Sequence, residues 1–189
     1  MKRAPIVAFA VLLFSTLLAV AQTPPQMPKP GPEHKNLAYF TGNWKLTGDV
    51  KPGPMGPGGK FTGTERVEWM PGGFFLVSHS QGSSSMGKET GLGVYGYDAD
   101  KKVYTYDEFS STGQNVHATG TFDGKVWTWS SDSPMGGKPV KGHFIVTETS
   151  PTSYTFKFEM SQDGNNWAPV MDGSATKAAA AGAATKKKE

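Results

Sequence analysis

Residues 38–50 read AYFTGNWKLTGDV, and the step Gly42-Asn43-Trp44 inside them decides how the fold is read. Before it, PEHKNLAYF places Leu37 and Phe40 at the spacing of the inner side of one helical turn. After it come nine further segments with strand character. In TSYTFKFEM, Tyr154, Phe156, Phe158 and Met160 share one face while Thr155, Lys157 and Glu159 take the other. That period of two marks a half-buried antiparallel strand. KFTGTERVEWM repeats it with Phe61, Val67 and Trp69. Strands are also expected over 44–50, 74–81, 91–97, 102–109, 115–122, 125–131, 140–149 and 166–171.

Turn chemistry separates these segments. DADKK (98–102), DGK (123–125) and DGNN (163–166) are short hairpin connections, and KPGPMGPGGK (51–60) is a longer Gly/Pro loop. No helical periodicity reaches ten residues. About ten sequential strands with tight turns form a meander, and a meander of that length leaves no open edges if it closes on itself. The expected fold is therefore all-β: an up-and-down antiparallel barrel of about ten strands, preceded by a short helical turn. Glycines inside strands, such as Gly93, Gly96 and Gly120, suit strongly bent barrel strands.

The ends of the chain differ in kind. Lys2 and Arg3, an apolar run from Pro5 to Leu18, and Ala19-Val20-Ala21 compose a secretory signal peptide over 1–21, cut near Ala21. Residues 22–32 are a Pro-rich spacer. The barrel domain is expected over 33–173, and the Ala/Lys-rich stretch 174–189 reads as a disordered tail. A bacterial periplasmic or secreted location follows, with no stable membrane anchor after cleavage.

Composition excludes several functions. There is no cysteine, so thiolate catalysis, Cys-ligated zinc and c-type haem attachment are out. The whole chain carries 19 Lys plus Arg against 16 Asp plus Glu, yet residues 30–173 hold 12 basic and 15 acidic residues. A domain with a balance of −3 lacks the electrostatic basis for nucleic-acid binding.

The motifs with chemical associations have plainer readings. GLGVYG (91–96) matches a dinucleotide fingerprint, but a hairpin follows it where a helix is needed. Its glycines instead relieve crowding in a bent strand. SQDGNNW (161–167) is one residue short of a propeller Asp-box and does not repeat. GSSSMG (82–87) reads as a flexible loop. Asp107 and Glu108 are adjacent in a strand and face opposite ways, so they do not form an acid–base pair. No catalytic constellation, metal site or cofactor motif emerges.

What remains is an aromatic interior. A barrel of this width commonly keeps a cavity for one small apolar ligand. The candidate ligand-binding residues are Arg66, Trp69, His79, Tyr95, Tyr106 and Trp129. Arg66 is the one arginine after the signal segment and suits a bidentate contact with a carboxylate, or else pairs with Glu65 or Glu68 at the surface. His79 shares a face with Phe75 and Val77 and is the candidate for lining a cavity or for ligating haem.

Several stretches together carry a family resemblance: PEHKNLAYFTGNW, GGFFLVSHS, GYDADKKVYTYDEFSSTG, GTFDGKVWTW and SQDGNNW. Over residues 32–173 the chain resembles the bacterial family known as domain of unknown function 1579, which is placed near the calycins, the lipocalin-like barrels. The resemblance implies a calycin-like barrel with Gly42 and Trp44 at its closed end, and no established activity. The nitrobindin-like haem barrels are more distant, and their longer glycine-patterned opening is not matched by Trp44-Lys45-Leu46-Thr47-Gly48. The function expected is non-covalent binding of a small hydrophobic or amphipathic molecule. The alternatives are a haem- or cofactor-using barrel and a packed barrel acting through its surface.

Overall fold

The structure, a computed structural model, describes residues 27–53, 56–135 and 137–178. The expected signal peptide, residues 22–26 of the spacer and residues 179–189 of the tail lie outside them. Ten strands run in chain order: β1 (Gly42–Val50), β2 (Gly59–Trp69), β3 (Leu76–Ser84), β4 (Gly87–Asp98), β5 (Val103–Ser110), β6 (Asn115–Asp123), β7 (Val126–Met135), β8 (Lys138–Ser150), β9 (Ser153–Ser161) and β10 (Ala168–Lys177). Each pairs antiparallel with its sequence neighbour, and β1 pairs with β10 to close the barrel. The closing register runs from Trp44 opposite Lys177 to Val50 opposite Met171. Every strand edge is thereby satisfied.

One end is covered. Helix α1 (Pro32–Leu37) and a 3-10 turn (Ala38–Phe40) lie across it. Pro32 stands in the first turn, where its missing N–H costs nothing. Leu37 and Phe40 point into the barrel and are fully buried. Trp44 meets them from β1, and its indole N–H donates to the Phe40 carbonyl at 2.6 Å. Burying an indole of roughly 200 Å² is worth about 5 kcal/mol in transfer free energy. Gly42 joins turn to strand with φ +117°, a conformation that suits glycine alone. The Tyr39 hydroxyl reaches the Ser153 and Ser150 carbonyls, at 2.7 and 2.9 Å, and Asn36 donates to the Tyr104 hydroxyl at 2.9 Å. These bonds sew the helix to the β5, β8 and β9 rims.

Three local expectations change. GSSSMG is no loop: β3 runs through Ser84, Ser85 and Met86 make the turn, and β4 begins at Gly87. Weak strand formers are held there by pairing on both sides. β10 runs on to Lys177, so the barrel includes Ser174–Lys177, which the sequence pattern assigns to the tail. Ala175 is buried opposite Leu46 and Tyr154. Finally, His79, Val77 and Phe75 do share a face, but it is the outer one. Leu76 and Ser78 fill the inside, and Phe75 is 44% exposed.

Candidate functional site

The register decides which side chains meet inside. Trp44 is buried in the interior, and directly opposite it on β2 stands Glu65, which in turn faces Ser80 on β3 and Gly91 on β4. Residues opposed across a ladder share a face, so Glu65 points inward. The next row runs Val67, Ser78, Gly93, Glu108, and Tyr95 opposes Tyr106 in the row nearer the helix. Four consecutive strands thus bring two carboxyl groups, two phenols and two serines to one side of the barrel interior.

Glycines make the space. A Cβ at Gly93 would stand 2.5 Å from Ser78 Oγ and 3.0 Å from the Tyr106 hydroxyl. One at Gly91 would stand 2.6 Å from Ser80 Oγ and 3.1 Å from Glu108 Oε1. The polar atoms occupy room that any other residue would take. The glycines of GLGVYG therefore do relieve crowding, and what they admit is this cluster.

The cluster is hydrogen-bonded and ringed by aromatics. Tyr95 donates to Glu65 Oε1 at 3.4 Å. Tyr106 opposes Tyr95 across the ladder and shares the inner face of β5 with Glu108. Beneath them Tyr95 lies 4.5 Å from Tyr106, 5.4 Å from Phe40 and 5.7 Å from Trp129, centroid to centroid. Towards the helix, Trp127, Trp129, Tyr154 and Phe156 complete a fully buried plug. Glu65, Tyr95, Tyr106 and Glu108 are different: they sit on the inner face yet are only half-buried. The far end of the barrel carries the connections after β1, β3, β5, β7 and β9 and has no counterpart of α1 among the described residues.

Burial sets the electrostatics. Desolvation raises the Glu65 carboxyl to about 7; the Glu108 charge adds to this, and the Ser78 and Tyr95 hydrogen bonds oppose it. Glu108 is raised too, first by burial and then by the Glu89 charge, against the Tyr106 bond. Tyr95 and Tyr106 are pushed far above the usual phenol range by burial and the nearby carboxylates, so they remain donors. Among the described residues no Lys, Arg or His nitrogen lies within 4.0 Å of Glu65 or Glu108.

The six residues expected to line a site divide. Tyr95, Tyr106, Trp69 and Trp129 stand on the inner face, Trp129 inside the buried plug. Arg66 and His79 oppose each other on the outer wall, both exposed. Arg66 pairs there with Glu68 at 3.0 Å. The other histidines are also off the barrel's inner wall. His117 contacts Asp107 at 2.6 Å outside, His143 stacks on Trp167 at 3.7 Å, and His34 Nδ1 accepts the Gly31 N–H on the helix. A histidine-ligated haem therefore finds no ligand on the inner wall. No group of three or more metal-ligating side chains occurs among the described residues.

Sequence reasoning missed Glu65, Ser78 and Glu108. The signal was present in parity: Glu65 alternates with Val67 and Trp69, and Glu108 with Tyr104 and Tyr106. Two wall concavities, of about 460 Å³ at Gly48, Phe61 and Gly173 and about 400 Å³ at Ser80, Gly91 and Ser110, form where glycines thin the wall. The second adjoins the polar cluster. The first carries Asp49 and Asp172, already paired with Lys60 and Lys51.

A closed ten-strand antiparallel barrel with one helix-covered end and a partly polar interior defines the class. The chain belongs to the family described as protein of unknown function DUF1579, whose family model matches residues 29–177. Among solved structures it is similar to Rv2717c from M. tuberculosis, at 13% identity and a TM-score of 0.55, over 79% of this chain and 99% of that one. That likeness speaks to the barrel fold alone. A protein described as EF1p2_mFAP2b bound to DFHBI aligns at 14% identity over 77% of this chain and 98% of its own; its TM-score of 0.43 carries no argument. No curated protein matches the chain.

Proposed function

We propose that this is an exported binding protein whose barrel interior holds one small hydrophobic or amphipathic molecule non-covalently. The observation that carries the reading is the half-buried inner-face cluster of Glu65, Tyr95, Tyr106 and Glu108. Inward-facing groups that keep accessible surface line a space, and aromatic walls with a few convergent polar groups are what small-molecule sites use. The plug of Trp44, Trp127 and Tyr154 closes one end, so entry is from the other. The signal-like residues 1–21 support export to the periplasm or out of the cell, and the barrel is read as calycin-like. The haem alternative loses its ligand, because His79 stands on the outer wall.

A surface role draws on Leu92 and Phe109, which are 40% and 55% exposed and paired across β4 and β5 on the outside. Two side chains fall short of the few hundred Å² that mark an interface. Native mass spectrometry of protein purified from its own export compartment separates the two readings. The binding reading expects a non-covalent adduct of small mass that solvent extraction removes. Bare protein that also takes up no apolar dye would overturn it.

A further inference from the structure

We propose that the interior cluster takes the positively charged end of an organic amine, its ammonium beside Glu65 and Glu108 and its apolar body against Tyr95, Tyr106 and Trp129. This rests on the reading of the barrel as a binding protein and names the ligand class of that same site.

The argument starts from a cost. Two carboxyl groups in a barrel interior, with no cation beside them, destabilise the fold unless something compensates. The hydrogen bond from Tyr95 to Glu65 compensates in part. Glu65 and Glu108 still face inward, half-buried, with no basic nitrogen within 4.0 Å of either among the described residues. The titratable groups facing the cluster are Tyr95, Tyr106 and Tyr154, with Glu89 above Glu108; none of them is basic. Lys177 stands in the same row as Glu65 with Trp44 between them, and its ammonium lies 4.9 Å over the Trp44 ring rather than on a carboxyl.

An ammonium group supplies what is missing. It has three donors and no acceptor, so it satisfies carboxylate lone pairs and adds the absent charge. Phenol and indole faces beside it attract a cation further. A carboxylate ligand meets the opposite: two acids repel it and no base receives it. An alcohol donates once and gains no charge. The site thus discriminates by charge, in part through repulsion.

The test uses the whole exported chain and three ligands with the same ten-carbon tail: decylammonium, decanol and decanoate. Each competes with phenylnaphthylamine, an uncharged fluorescent dye, at about pH 8, above the Glu65 value of about 7. Decylammonium is expected to displace the dye at concentrations at least about tenfold below those of decanol or decanoate. Glu65→Gln with Glu108→Gln is expected to bring ammonium and alcohol together while dye binding persists. Decanol or decanoate matching decylammonium on the native protein overturns the amine proposal and leaves the binding reading standing. Failure of the dye to bind at all overturns that reading, and the amine proposal with it.

Discussion

Tyr95 on β4 reaches past β3 to donate its hydroxyl to Glu65 on β2, at 3.4 Å. This bond crosses the barrel interior between residues 30 positions apart, and it does not fully restore the solvation that Glu65 lost. The carboxyl sits near 7 rather than at its ordinary 4.5.

A pH dependence follows. A raised acid binds its proton more tightly in the folded state than in the unfolded chain. That contribution is complete below the unfolded value of 4.5 and is lost as pH rises through about 7. The native protein therefore loses stability across this window, by at most about 3 kcal/mol from Glu65. Glu108 adds in the same direction. Glu65→Gln removes this dependence, so urea denaturation should find the variant more stable than the native protein at about pH 8, with a flatter pH profile.

Gly93 and Gly120 should resist even alanine. At Gly120 a Cβ would stand 2.5 Å from the Trp129 ring, and at Gly93 2.5 Å from Ser78 Oγ and 2.8 Å from Tyr106. Overpacking of this kind costs about 1–3 kcal/mol. Gly53→Ala, where nothing lies within 4 Å, should stay within about 0.5 kcal/mol in the same urea titrations.

Trp44→Ala should cost about 3–5 kcal/mol, as large-to-small changes in a packed core do. It removes the plug and the bond to the Phe40 carbonyl together. Amide hydrogen exchange should show the loss first in residues 32–40, which rest on that indole.

Arg66→Ala and His79→Ala should leave dye affinity within about twofold, because both side chains stand on the outer wall. A larger loss would mean that ligand binds outside the barrel.

Much of this is legible in the sequence. Tyr154, Phe156 and Phe158 announce their strand by alternation, and Asp123-Gly124 announces its turn. Where apolar residues run unbroken, as from Phe74 to Val77, parity is undefined, and the sequence reading puts His79 on the wrong side. The composition of residues 82–87 hides a hairpin, because Gly and Ser carry little strand preference and only their partners hold them. The polar cluster is the hardest part. Glu65 and Glu108 each betray their face by alternation, but their meeting depends on strand pairing four elements deep. Asp107 and Glu108 do face apart; the partner carboxyl of Glu108 is Glu65, which no local window contains.

The central claim is an accessible space beside Glu65, and Ser80 stands at its edge, between Glu65 and Gly91 on the inner face. The most direct measurement is a phenylnaphthylamine titration of the native protein, Ser80→Phe and Gln81→Phe, each first checked as folded by near-ultraviolet circular dichroism. Native protein and Gln81→Phe, whose new ring points outward, are expected to bind the dye alike, and Ser80→Phe to bind it at least about tenfold more weakly. Equal binding by all three, or no binding by any, would contradict a ligand space inside the barrel.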